Sequence, residues 1–186
     1  MSTSKPTNRT ELAAKIAELS LLRGTFTLRS GRTSSYYLDK YRFSTRPETL
    51  GPVAELFAET VRSIEAETSS VTRLAGAELG GIPLVTATSL VTGHPTVFIR
   101  NQKKDYGTAK QLEGELNDGD RVILLEDVAT TAGQALEACE TVREQGAEIV
   151  AVIAAIDRGE GAAENMKSAG VRFERLFTKE DLGVGE

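Results

Sequence analysis

The stretch Val122-Ile123-Leu124-Leu125-Glu126-Asp127-Val128-Ala129-Thr130-Thr131-Ala132-Gly133-Gln134 decides how this chain folds and where its chemistry lies. An apolar run ends in two adjacent carboxylates, and a Thr-Thr-Ala-Gly turn opens onto a helical pattern. Ala135, Leu136, Cys139 and Val142 share one face of that helix before Gly146 stops it. Consecutive apolar residues without polar alternation mark a strand buried on both faces, as in parallel sheets. Successive backbone N–H groups in such a turn, together with the helix N-terminus, form a donor cluster suited to a phosphate. There is no Gly-Lys-Ser/Thr and no Gly-x-Gly-x-x-Gly, so the stretch is neither a Walker A loop nor a dinucleotide fingerprint. Two acids beside a phosphate cradle repel the phosphate unless they face something else. Ribose hydroxyls are the natural partners, because carboxylates accept hydrogen bonds from both hydroxyls of a cis-diol. The pattern points to a ribose 5-phosphate.

Outward from this stretch, short β-branched runs alternate with helical patterns. The expected strands are Val71 to Ala75, Thr96 to Ile99, Val122 to Leu125 and Ile149 to Ile156, with Val171 to Phe177 as a further one. Helices are expected from near Gly81-Ile82-Pro83 and from near Thr131. Upstream, Leu12, Ile16 and Leu19 fall at helical spacing after Thr10 as N-cap, with Gly24 as the stop. Phe26 and Leu28 alternate with polar residues, and Ser30-Gly31-Arg32 turns the chain into Ser35 to Asp39 as a short antiparallel element. Pro47 suits a first helical turn, and Leu50, Val53, Ala54, Phe57, Val61 and Ile64 form an amphipathic stripe behind it. The expected architecture is an α/β fold with a mainly parallel twisted sheet flanked by helices and a small N-terminal hood. It is read as a single domain: residues 1–10 a loose tail, 11–45 the hood and first helix, and 100–119 a loop that a family resemblance implies to be mobile and catalytic. Ligands of such sheets bind beyond the carboxyl ends of the strands.

The chain of 186 residues carries 22 Lys or Arg against 27 Asp or Glu, a formal charge of −5, which argues against a non-specific nucleic-acid coat. A single cysteine, Cys139, excludes an internal disulfide framework, and no apolar run approaches a membrane span, so a cytoplasmic location is the expectation. Charge is unevenly spread. Between Arg100 and Gln111, four basic residues (Arg100, Lys103, Lys104, Lys110) face one acid, Asp105, and the polar stretch Gly107 to Gly119 is long enough to serve as a lid. Arg158 follows a buried run, where a guanidinium is placed to hold a carboxylate in bidentate fashion. Gly159 to Glu164 mimics a dinucleotide fingerprint but has Glu where the third glycine belongs. His94, the only histidine, has no Cys or second His with which to build a metal site.

These segments resemble the type I phosphoribosyltransferases, and specifically the orotate phosphoribosyltransferases, from about Glu11 to Gly183. Gly24 to Tyr37 resembles the family's hood motif, Gly76 to Pro83 its pyrophosphate loop, Arg100 to Gly107 its mobile loop, and Asp157-Arg158 the pair that meets orotate. The resemblance implies transfer of phosphoribose from phosphoribosyl pyrophosphate (PRPP) to orotate in pyrimidine (UMP) biosynthesis. It places Lys104, Asp127 and Glu126 as catalytic residues. PRPP is expected to meet Arg100, Lys103, Lys104, Tyr106, Glu126, Asp127, Val128, Ala129, Thr130, Thr131, Ala132, Gly133 and Gln134, with Glu78, Leu79 and Gly80 forming the pyrophosphate loop. Orotate is expected at Thr130, Arg158, Tyr37, Leu38 and Arg29. Mg²⁺ is implied as a cofactor carried by PRPP, with no direct protein ligand. A homodimer with active sites shared across the interface is implied, with no nucleic-acid or membrane partner.

Some positions depart from the family pattern. Arg29, Gly80 and Asn101 stand where many bacterial members carry lysine, Tyr106 where histidine is common, and Ala132 where glycine is usual. The other readings are a phosphoribosyltransferase for another nucleobase and a PRPP-binding regulatory homologue with little turnover.

Overall fold

The computed structural model describes residues 8–27, 31, 33–101 and 111–185. In chain order the elements are α1 (Arg9–Ser20), β1 (Leu21–Thr27), β2 (Thr33–Leu38), α2 (Lys40–Ser44), α3 (Pro47–Glu67), β3 (Arg73–Ala77), α4 (Gly81–Thr92), β4 (Thr96–Ile99), β5 (Leu112–Glu113), β6 (Arg121–Ala129), α5 (Gly133–Arg143), β7 (Glu148–Asp157), α6 (Ala162–Ser168) and β8 (Phe173–Thr178). Six strands form one sheet in the order β5-β4-β3-β6-β7-β8, parallel except for the edge strand β5. β1 and β2 form a separate antiparallel hairpin.

The pleat sorts β6 between two cores. Ile123 and Leu125 join Leu74, Ile153 and the apolar faces of α1, α3 and α4 on one side of the sheet. Val122 and Leu124 join Val97, Val152 and the apolar face of α5, with Met166 of α6, on the other. The uninterrupted apolar run read from the sequence is thus a strand covered on both faces. Gly76 lets α4 press onto β3: a Cβ there would lie 2.7 Å from Gly81 O and from Val85 Cγ1.

The connection β3-α4-β4 runs toward one edge of the sheet, and β6-α5-β7-α6-β8 runs toward the other. The direction of winding therefore reverses between β3 and β6, which run parallel. The connections from their carboxyl ends lead to α4 and α5 on opposite faces of the sheet, which is where an open α/β sheet offers a crevice.

The structure shifts several expected boundaries. The first helix is capped by Asn8 and not by Thr10: the Asn8 side chain accepts from the N–H groups of Thr10 and Glu11 at 3.1 and 3.3 Å. It ends at Ser20 and not at Gly24, because Leu21 already pairs with Leu38 across the hairpin. Residues 112–113 of the expected lid are not loop. β5 pairs there with β4, and its Leu112 is buried, so the far end of that segment is tied to the sheet. Gly161, with positive φ, leads into α6 where the sequence showed only a broken fingerprint.

Candidate active site

Strand β6 delivers Glu126 and Asp127 to the switch point, where the β3–α4 turn, Glu78 to Gly80, faces them from the neighbouring strand. Asp127 is only 1% exposed, and its Oδ1 accepts from the Val128 N–H at 2.6 Å. Lys40, the first residue of α2, places its ammonium 3.2 Å from Asp127 Oδ1 and 2.9 Å from Oδ2. Burial works against the charge on Lys40, but Asp127 and then Glu126 outweigh it and raise its pKa above the usual 10.5. Glu126 is pushed up to about 8, first by burial and then by the charge of Asp127. Near neutral pH Glu126 therefore holds a proton beside the Lys40–Asp127 ion pair. The −5 of the whole chain says nothing of this nearly neutral spot.

Behind the acids, Thr130 to Gln134 curve round a cavity of about 370 Å³, lined also by Glu126, Val128, Ala129, Ala135 and Glu137. Ala132 is the N-cap of α5 in the left-handed region at φ 63°, which turns the chain sharply into the helix. A side chain from α6 braces the turn, since Asn165 Nδ2 donates to Thr131 O at 2.9 Å. Thr131, Gly133 and Gln134 are exposed beside the α5 N-terminus, as an anion cradle requires.

The neighbouring strand, β7, ends at Asp157, and Arg158 follows it directly. The Arg158 backbone N–H donates to Ala129 O at 3.0 Å, which registers this end against β6. Its guanidinium carbon lies 5.3 Å from the Tyr36 ring centroid, Nη2 donates to Tyr36 Oη at 3.4 Å, and Glu160 pairs with Nη2 at 2.9 Å. Nε is buried with no hydrogen-bond partner among the described residues. The hood therefore closes over Arg158 through Tyr36.

The expected site residues divide accordingly. Glu126, Asp127, Val128, Ala129, Thr130, Thr131, Ala132, Gly133 and Gln134 converge, with Arg158 on the next strand and Gly80 against Asp127. Two hood residues do not take the expected place. Leu38 is buried in the hydrophobic core, and Tyr37, 47% exposed, packs its ring on Phe26 at 5.8 Å. Strand parity explains both, because Tyr36 and Leu38 share the inward face of β2 and Tyr37 takes the other. Glu78 is a brace, its Oε1 accepting from the Asn101 N–H at 2.6 Å, while Leu79 is 63% exposed. Arg100 is bound at the base of the following segment: its N–H donates to Gln111 O at 2.8 Å and its guanidinium lies 3.5 Å from Glu113. Arg29, Lys103, Lys104 and Tyr106 lie outside the described residues. Tyr36, Lys40 and Glu160 were not singled out from the sequence. The parity of β2 singles out Tyr36 only once the burial of Leu38 is known, and the pairings of Lys40 and Glu160 gave no sequence signal.

A family model described as a phosphoribosyl transferase domain matches residues 44–180. The orotate phosphoribosyltransferase of Natronomonas pharaonis is 45% identical over 159 residues, covering 86% of this chain and 87% of the relative. Among solved structures, the Mycobacterium tuberculosis orotate phosphoribosyltransferase in complex with Fe(III) dicitrate superposes with a TM-score of 0.82. It is 32% identical and covers 96% of this chain and 100% of that one. The same enzyme in complex with PRPP gives a TM-score of 0.78 at 32% identity, with the same coverage. On fold, site and these similarities together, the chain belongs to the phosphoribosyl transferase family, in its orotate phosphoribosyltransferase branch.

Proposed function

We propose that this protein transfers the phosphoribosyl group of PRPP to orotate, giving orotidine 5′-monophosphate and pyrophosphate, in pyrimidine biosynthesis. The observation that carries the reading is the convergence at one switch point of the acid pair, the Thr130–Gln134 cradle and Arg158 on the adjacent strand end. The 5-phosphate lies in the cradle, where the α5 N-terminus and exposed N–H groups complement it. The ribose hydroxyls meet Glu126 and Asp127. The neutral carboxyl of Glu126 donates to one hydroxyl, while Asp127 accepts from the other. Pyrophosphate then lies toward Glu78 to Gly80.

Breaking the C1–O bond puts positive charge on the ribosyl ring and negative charge on the departing pyrophosphate, and orotate's ring nitrogen closes the new bond to C1 as its proton leaves to solvent. Asp127 lies on the ring side of that separation. Arg158 holds the orotate carboxylate, with Tyr36 fixing the plane of the guanidinium. Lys104 on the 100–119 segment is assigned to the leaving group, with Arg100, Lys103 and Tyr106 beside it; Arg29 is assigned to the orotate side. Mg²⁺ enters as part of the Mg–PRPP substrate and offsets the pyrophosphate charge. The acid pair already holds one cation, Lys40, so it does not present itself as a resident metal site. The working unit is a cytoplasmic homodimer of a single-domain chain in which each 100–119 segment serves the partner's site.

Incubation with Mg²⁺, PRPP and orotate, followed by loss of orotate absorbance, tests the reading. Uracil, adenine and hypoxanthine serve as controls. Turnover with orotate alone is the expected result, and turnover of a control base without orotate overturns the substrate assignment.

A further inference from the structure

Lys40 lies 87 positions before Asp127 in the chain, yet its ammonium spans both oxygens of that buried carboxylate. It reaches there from the hood. Asp39 caps the turn ahead of it by accepting from the Tyr41 N–H at 3.3 Å, and the Tyr41 ring centroid lies 5.6 Å from Nζ. The other side of Asp127 is set by Gly80, for a Cβ built there would overlap Asp127 Oδ2. The β3–α4 turn therefore meets the acid without a side chain at its point of closest approach, and none of its three residues, Glu78, Leu79 and Gly80, is basic.

We propose that Lys40 is the pyrophosphate-side cation of the site, neutralising Asp127 in the free protein and giving its remaining N–H to the pyrophosphate of PRPP. The proposal rests on the placement of pyrophosphate against Glu78 to Gly80 given above. Three features support it. An ammonium has three N–H donors, of which one goes to Asp127 Oδ1 while Oδ2 lies at ion-pair distance without a hydrogen bond, and the Lys40 side chain is 35% exposed, so an N–H remains for a ligand. A buried carboxylate at this junction, left unpaired, would repel an incoming polyanion. The missing side chain at residue 80 opens the space in which Asp127 and Lys40 meet, so the hood and not the β3–α4 turn supplies the charge.

The test compares wild type with Lys40→Met and Lys40→Arg by calorimetric titration of Mg–PRPP, inorganic pyrophosphate and ribose 5-phosphate, alongside steady-state kinetics with orotate. Lys40→Met is expected to weaken Mg–PRPP and pyrophosphate by about 10- to 100-fold. It should change ribose 5-phosphate affinity and the orotate KM by no more than about twofold, and Lys40→Arg should recover most of the loss. Lys40→Gln replaces the methionine variant if the latter does not fold. Unchanged pyrophosphate affinity overturns the proposal. So does an equal loss for ribose 5-phosphate, because Lys40 would then act only by positioning Asp127. If wild type itself binds no PRPP, the underlying reading falls and the proposal with it; normal wild-type binding and an indifferent variant remove the proposal alone.

Discussion

The guanidinium of Arg158 lies 2.9 Å from the carboxylate of Glu160, two residues further along the same turn, so the group assigned to orotate's carboxylate already holds one. Both side chains are largely buried, and Tyr36 covers the guanidinium face. Glu160 stands where it competes with the substrate anion. Arg158→Met is expected to raise the orotate KM by about tenfold or more, the loss of a charge-assisted pair, with the PRPP KM unchanged. Glu160→Gln should lower the orotate KM by about two- to fivefold, in line with a pair worth under about 1 kcal/mol. Initial-rate kinetics with each substrate varied in turn separates the two effects. A higher orotate KM in Glu160→Gln would show that Glu160 orients Arg158 and does not compete.

Ala132 is the only described non-glycine residue with positive φ, and it sits at the apex of the cradle. Its methyl is buried against the α5 core, which holds a conformation costing about 1–2 kcal/mol in an L-residue. Ala132→Gly removes that cost but gains backbone entropy in the unfolded chain, so a small net stabilisation below about 1 kcal/mol is expected. Ala132→Val, β-branched at positive φ, should lose about 2 kcal/mol or more. Urea denaturation of the two variants gives the comparison, and equal midpoints would remove the strain argument.

The parts of this fold that burial dictates were legible in the sequence. Val122 to Leu125 reads as a two-sided strand because it is one, and the α3 stripe from Leu50 to Ile64 reads as a helix because its period matches the core it covers. Elements too short to show a period were not legible. β5 is two residues on a sheet edge, and α2 is five residues marked only by the Asp39 cap. The cradle was readable because its chemistry is local, running from Glu126 to Gln134. Lys40 was not: its meaning comes from a contact across 87 positions that no spacing encodes. Tyr37 and Leu38 stood next to the right residue, and only the parity of β2, fixed by the burial of Leu38, assigns Tyr36 to the site.

Asn165 connects α6 to the cradle by a single bond, Nδ2 to Thr131 O at 2.9 Å. The donor is exposed, so the bond adds little to global stability, yet it fixes the carbonyl beside the N–H groups assigned to the 5-phosphate. Asn165→Ala is expected to raise the PRPP KM by about two- to fivefold, equivalent to about 0.5–1 kcal/mol, with the melting temperature nearly unchanged. Kinetics at saturating orotate, paired with a thermal melt, tests this. A fall in melting temperature without a KM change would make Asn165 a structural residue only.

Glu126 couples the site to pH. Burial and the neighbouring Asp127 charge raise its carboxyl from the ordinary 4.5 to about 8. Between those values the folded protein holds a proton that the unfolded chain has released. Stability linked to this group is therefore fully present below about pH 4.5, declines as pH rises and is lost above about 8. Glu126→Gln keeps the shape and fixes the neutral state, so it should abolish that decline. Melting temperatures at pH 5.5, 7 and 8.5 check this. The variant should gain on wild type with each step upward, by on the order of 10 °C in all. A constant difference across the series would mean that Glu126 is ionised throughout, and the pair would then carry two charges against Lys40 and would need a second cation before it could accept PRPP.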